Sequence, residues 1–386
     1  MSKYIIIGLI LLGLLPVSCQ ELPGAIITGA ESTDVYLPLI RGKKIAVVAN
    51  QTSLVGTAHL VDTLLGSGVT IVRILVPEHG FRGSAGAGVK VEDETDPRSG
   101  LPIVSLYGDH QKPRPADLEG IDLVLFDLQD VGVRCYTYLS TLHYVMEACA
   151  ENGLPLCVLD RPDPLGRMID GPVLEPSFRS FVGMHPIPLV HGMTLGELAG
   201  MINGEGWLKE GIRCDLTVVP CKNYTHDREY SLPVRPSPNL PDMHAILLYP
   251  SLVLFEGTVI SVGRGTDMPF EVYGHPLLKS DFSFIPQKNQ ANSQPLHLGQ
   301  ICYGEDLREY RSPDNWQTLN LDWLLEAYRT YPDQENFFSS FFDKLAGTTQ
   351  LRQQIGEGKT EGEIRESWRE GLELFREKRK IYLLYP

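Results

Sequence analysis

Four short runs of this chain gather carboxylates, cations, amides and aromatic rings where an apolar segment ends. They are Asn50-Gln51-Thr52, Glu78-His79-Gly80-Phe81-Arg82-Gly83, Asp127 to Arg134, and Asp160-Arg161. Carboxyl groups beside arginines and amides, with no phosphate loop, are the equipment of carbohydrate chemistry. Glycoside hydrolysis needs one carboxyl to protonate the leaving oxygen. A second group must supply a nucleophile, activate water or orient a neighbouring part of the substrate. Glu78 is the first choice for the acid, with His79 beside it to hold or tune it. Asp127, Asp130, Asp160 and Glu256 are the candidates for the partner carboxylate, and the sequence does not rank them. Each has a structural alternative: Asp130 as a helix cap, His79 as a buried histidine, any arginine as half of an internal ion pair.

The elements that would position these groups alternate. Lys44–Ala49, Thr70–Val76, Pro102–Tyr107, Asp122–Phe126, Leu156–Leu159 and Asp215–Val219 read as strands, several almost continuously apolar. Between them His59–Leu65, Tyr136–Glu151 and Thr194–Asn203 read as helices. Apolar strands separated by helices predict a parallel α/β sheet covered on both faces. The crossover rule aligns the strand C-termini on one edge, and ligands of such sheets bind beyond that edge. Four polar clusters on one edge therefore point to a site. After the polar stretch Gln287–Gln294 the texture changes to three helices, Asp322–Thr330, Asn336–Leu345 and Glu361–Arg379, the last with a capping box of Thr360 and Glu363. The expected organisation is a larger α/β domain over residues 20–283 and a smaller C-terminal α+β domain over residues 284–386.

Other chemistries are poorly supported. A net charge of −14 argues against a nucleic-acid partner, which needs clustered Lys and Arg. No G-x-G-x-x-G follows a strand; Gly83, Gly86 and Gly88 imitate one poorly. Neither a G-x-S-x-G elbow nor a Walker lysine motif appears. The ten histidines lack metal-ligand spacing, so neither a cofactor nor a metal is expected. Of seven cysteines none forms a C-x-x-C pair, and a Cys214–Cys221 disulfide is less expected than two buried thiols.

The first residues set the compartment. Lys3, the apolar run Tyr4–Leu15 and Pro16-Val17-Ser18-Cys19 form a secretory signal, too short to span a bilayer, which takes about 20 apolar residues. Cys19 after Ser18 resembles a lipobox cysteine, although Leu15 lies one place further away than the usual pattern has it. The expectation is a 1–19 signal, a lipid on Cys19 as the only membrane contact, a tether over Glu21–Gly29, and a location on the periplasmic face of a bacterial membrane. Without the lipid it would be secreted to the periplasm.

Several longer runs are similar to one family. Val48-Ala49-Asn50-Gln51-Thr52-Ser53, Pro77-Glu78-His79-Gly80-Phe81-Arg82-Gly83, Phe126 to Tyr138, Leu159-Asp160-Arg161-Pro162, Ser237-Pro238-Asn239-Leu240-Pro241, Phe255-Glu256-Gly257-Thr258, Ser261 to Thr266 and Arg379 to Tyr385 resemble the NamZ-type exo-β-N-acetylmuramidases, long catalogued as a domain of unknown function. The resemblance spans essentially the whole mature chain. It implies a Rossmann-like catalytic domain, a smaller C-terminal domain and a cleft between them. It also implies release of terminal N-acetylmuramic acid from the non-reducing end of peptidoglycan fragments, and points to Glu78 as well. The lactyl carboxylate of that sugar needs a cation, which Arg82, Arg134, Arg161 or Arg264 would supply. Asn50, Gln51 and Asn239 suit its hydroxyls or acetamido group, Tyr136 and Tyr138 a stacking face, and Asp130 and Thr266 complete the binding candidates. The alternatives are a non-catalytic cell-wall glycan-binding lipoprotein and, less supported, a nucleotide- or phosphate-dependent enzyme.

Overall fold

The computed structural model of the chain describes residues 24–81 and 94–386. The apolar leader, Cys19, Arg82, Gly83, Gly86 and Gly88 lie outside those residues. The described residues form twelve strands and nine α-helices. Helix α1 (Thr33–Ile40) precedes β1 (Lys44–Ala49), a hairpin of β2 (Leu54–Val55) and β3 (Ala58–His59), and α2 (Leu60–Gly66). Then come β4 (Thr70–Val76), β5 (Glu94–Thr95), β6 (Pro102–Ser105), β7 (Leu123–Asp127) and α3 (Tyr138–Glu151). Strand β8 (Leu156–Leu159), α4 (Leu195–Gly204) and β9 (Leu216–Val219) complete the main sheet and its cover.

That sheet has the order β5-β6-β4-β1-β7-β8-β9 and is parallel except at the β5–β6 edge. Without β5 the order is 3-2-1-4-5-6, the Rossmann arrangement, with its switch point between β1 and β7. The central strands are buried on both faces, as their almost continuously apolar runs require. Ile45, Val47, Ile74 and Leu125 pack against Tyr36 and Ile40 of α1 and Leu60 and Leu64 of α2. Ala46, Val48, Leu75 and Phe126 point the other way, into the core shared with α3 and α4.

The second core does not stop at the sheet. It runs on through α5 (Met243–Leu252), α6 (Asp322–Thr330), α7 (Phe342–Ala346), α8 (Gln350–Gly356) and α9 (Glu361–Arg379), taking in Leu248, Leu324, Leu345, Ile355 and Trp368. The C-terminal part is thus packed onto the sheet layer. It adds an antiparallel sheet, β10 (Val272–His275), β12 (Cys302–Asp306) and β11 (Phe282–Phe284) in that spatial order. This sheet straddles residue 283, near which the sequence texture changes.

Some expectations need correction. The tether reading ends early: Ile27 pairs with Lys222, and Gly29 donates its N–H to the Asp160 carbonyl at 2.8 Å. A Cβ on Gly29 would stand 2.3 Å from the Val219 carbonyl oxygen, so only glycine fits this approach. The helix expected over Asn336–Leu345 is interrupted, because Phe338 forms an antiparallel bridge with Thr258 before α7 begins. Helix α5 was not anticipated; it is buried on most sides and contains Pro250, so no amphipathic period marks it. The Thr360–Glu363 capping box is present. Cys214 and Cys221 are free, buried thiols, as are the other described cysteines.

Candidate active site

Strand β4 ends at Val76, and Pro77 stops its ladder. The turn that follows closes with a Gly80 N–H to Pro77 carbonyl bond of 3.1 Å. His79 inside it has φ of 74°, a left-handed conformation that costs a non-glycine residue roughly 1–3 kcal/mol. The turn presents Glu78, which is only 8% exposed. Across the end of β1, the chain leaving β7 reaches Thr137, whose hydroxyl donates to Glu78 Oε2 at 2.9 Å. Thr137 occupies the N-cap position of α3, yet its side chain caps nothing in that helix. Its hydroxyl is committed to the carboxylate instead. The ends of β4 and β7 therefore meet over β1, beside the sheet's switch point.

Glu78, His79, Tyr136 and Thr137 form one wall of a cavity of about 450 Å³, within the usual range for small-molecule sites. The opposite wall comes from beyond the sheet: Asn239, Glu256, Arg264, Phe270, Asn292 and Phe341. Arg264 Nε donates to Glu256 Oε1 at 2.6 Å, and its guanidinium lies 5.0 Å from the Phe270 ring centroid. Arg264 Nη1 is buried without a hydrogen-bond partner among the described residues. Asn239, 2% exposed, accepts at Oδ1 from Asn292 Nδ2 at 2.7 Å, while its own Nδ2 is buried and unpartnered. Glu78 and Glu256 are the carboxylates that line this cavity among the described residues.

A second cavity of about 710 Å³ adjoins the first, with Ser237 lining both. Gln51 and Thr266 line this second one. Gln51 Nε2 donates to the carbonyls of Arg235 and Pro236, and Tyr136 OH donates to Pro236 as well, at 2.8 Å. These bonds pin the wall between the two cavities.

The structure takes the other candidates away from the pocket. Asn50 is fully buried, donating to Tyr138 OH at 2.7 Å and accepting from the Thr52 N–H and hydroxyl. Tyr138 stands behind Tyr136, not on the cavity surface. Asp127 and Arg161 form a buried bidentate pair of 2.5 and 2.9 Å, and Arg161 also holds the Leu54 carbonyl. Burial pushes the Asp127 carboxyl up, against the pull of the Arg161 guanidinium. Asp160 accepts from the Thr194 hydroxyl, the Gly196 N–H, the Tyr385 hydroxyl and the Arg161 N–H, tying α4 and the C-terminus to the end of β8. Its burial raises it to about 6. Asp130 holds the Gly132 N–H at 2.8 Å and is pushed by burial up to about 7. Arg134 gives its two terminal nitrogens to four carbonyls, those of Pro172, Ile187, Leu345 and Ala346. It rivets the end of α7 to the sheet layer, with burial lowering it to about 10.

Sequence reasoning passed over Thr137, Tyr107, Phe181, Tyr249 and Asn292, all on the cavity wall. Thr137 sits inside the Phe126–Tyr138 run and was legible there. Asn292 lies in the Gln287–Gln294 stretch, whose polarity reads as a connection and carries no sign of a wall.

A Rossmann-like sheet with a carboxyl group at its active edge and a cavity of this size before it suits an α/β enzyme of the glycosidase class. The chain belongs to the exo-β-N-acetylmuramidase NamZ family, whose N-terminal model matches residues 45–244 and whose C-terminal model matches residues 247–385. It is 39% identical over 378 residues to the peptidoglycan β-N-acetylmuramidase NamZ of Bacillus subtilis strain 168, covering 91% of this chain and 89% of that protein. Two crystal structures of DUF1343 family proteins from Bacteroides fragilis NCTC 9343 share the fold. One has a TM-score of 0.88 at 45% identity, the other 0.80 at 26%, and each match covers 94% of this chain and 99% of the other.

Proposed function

We propose that this chain is an exo-acting glycosidase that releases terminal N-acetylmuramic acid from the non-reducing end of peptidoglycan fragments, with Glu78 as general acid. The observation that carries it is the placement of Glu78, fixed by Thr137, on a cavity sized for one substituted sugar. Asp127 and Asp160 are consumed by internal partners, which argues against either as the second catalytic group. The larger cavity beyond Ser237 gives the leaving saccharide a place, and Gln51 Oε1, buried and without a partner among the described residues, supplies an acceptor there. The relative from Bacillus subtilis supports the substrate class.

The reading extends to location. The leader and Cys19 support an exported protein held by a lipid at the periplasmic face of a bacterial membrane; Cys19→Ala would then shift it from membrane to soluble fractions. The activity is tested with paired chromogenic sugars. Turnover of the β-N-acetylmuramide with little of the matching β-N-acetylglucosaminide is expected. Equal rates would remove the muramic assignment and leave a general hexosaminidase, and binding without any turnover would favour a glycan-binding protein.

A further inference from the structure

We infer that Arg264 and Asn239 form the receptor for the lactyl carboxylate of the muramic ring, with Glu256 as the positioning residue that aims the arginine. This rests on the muramidase reading above and deepens it. Two residues that line this cavity each hold a buried donor with no acceptor among the described residues: Arg264 Nη1 and Asn239 Nδ2. Buried donors are ordinarily paired, so two unpaired ones in a single cavity specify an acceptor-rich ligand group. A sugar hydroxyl is also a donor and carries no charge to match a guanidinium. A carboxylate is acceptor-only and offers up to four lone-pair sites.

The surrounding contacts hold both donors in place. Glu256 takes the Nε side of Arg264 at 2.6 Å and Phe270 lies 5.0 Å from its guanidinium carbon, which leaves the terminal end for the ligand. Asn292 fixes the Asn239 amide through Oδ1 at 2.7 Å, leaving Nδ2 to donate. Arg134 and Arg161 do not line this cavity: both terminal nitrogens of Arg134 serve backbone carbonyls, and Arg161 is held by Asp127 and the Leu54 carbonyl. Glu256 thereby leaves the set of catalytic carboxylates: its charge is matched by Arg264, and its role is exerted through that side chain.

The test compares three free ligands by calorimetry: N-acetylmuramic acid, its lactyl methyl ester, and N-acetylglucosamine. The ester keeps the shape and removes the charge. The parent should prefer acid over ester by roughly ten- to a hundredfold, the size of a charge-assisted contact. Arg264→Met should bring the ratio near one while affinity for the ester changes little. Arg264→Lys, which keeps the charge without the fork, should retain part of it, and Asn239→Ala should lower it about three- to tenfold. Glu256→Gln should raise KM for the chromogenic muramide with kcat nearly kept, a split that general loss of structure would not produce. If Arg264→Met fails to fold, the lysine and Asn239→Ala variants decide the matter. A parent that does not distinguish acid from ester, or variants that keep the parental ratio, would overturn the receptor. Turnover of the muramide with an unchanged ratio sinks this assignment alone, whereas no turnover at all sinks the muramidase reading.

Discussion

Asp127, Arg161 and Asp160 at the ends of β7 and β8 and the groups around the cavity have the same composition and different states of satisfaction. Asp127, Arg161 and Asp160 spend their side chains on one another, on a backbone carbonyl and on N–H and hydroxyl groups, and Arg134 is bound at both terminal nitrogens. On the cavity wall Arg264 and Asn239 are held from one side only and keep a donor unspent. A strand-end carboxylate or arginine is therefore as apt to be mortar as tool. What separates the two is whether the unspent donor belongs to a side chain that lines a cavity.

Removing a partner from the satisfied region should damage stability and leave recognition intact. Asp127→Asn strands the buried Arg161 cation, and breaking such a pair costs about 3–5 kcal/mol. The urea midpoint should fall accordingly while KM for the chromogenic muramide stays near the parental value. A large rise in KM with an unchanged midpoint would mean that Asp127 belongs to the site.

Thr137→Val reverses the pattern at smaller size. It deletes the donor to Glu78 Oε2, a contact to a charged group worth about 1.5 kcal/mol, hence roughly tenfold in kcat. Because Thr137 does not cap α3, the midpoint should barely move. Unaltered kcat would show that Glu78 needs no such support.

A third effect is electrostatic. Asp130 is raised by burial from the usual carboxylate range to about 7. A raised carboxyl adds stability that is full below its unfolded value near 4 and is lost as pH climbs through about 7. Asp130→Asn removes that loss and keeps the acceptor for the Gly132 N–H. Its melting temperature relative to the parent should be higher at pH 8 than at pH 5. Measuring the difference also cancels the buried histidines, such as His143, lowered by burial to about 4, which weaken the fold in acid. A difference independent of pH would contradict the burial argument.

The same contrast explains what the sequence could tell. Lys44–Ala49 and Leu156–Leu159 are legible to the residue because central strands buried on both faces are almost continuously apolar, and Thr70–Val76 because only Arg73 interrupts its apolar run. Glu361–Arg379 is legible through its cap and amphipathic face. Glu78 is legible because polar residues after a parallel strand face the site edge. The satisfaction of Asp160 is not, since its partners Thr194, Gly196 and Tyr385 come from segments far apart in the chain. Nor is the far wall: Arg264, Asn239 and Asn292 meet only once the C-terminal part has packed on the sheet layer, and no local pattern announces that.

On the proposed reading Glu78 supplies the chemistry, and Asp127, Arg161 and Asp160 supply the frame. Single-turnover kinetics on a muramide with a poor leaving group, run beside thermal melting and product binding on Glu78→Gln, test it most directly. The expected loss is roughly 10²–10⁴-fold in rate, with melting temperature and N-acetylmuramic acid affinity close to parental. Near-normal turnover by Glu78→Gln, with melting and binding unchanged, would contradict it.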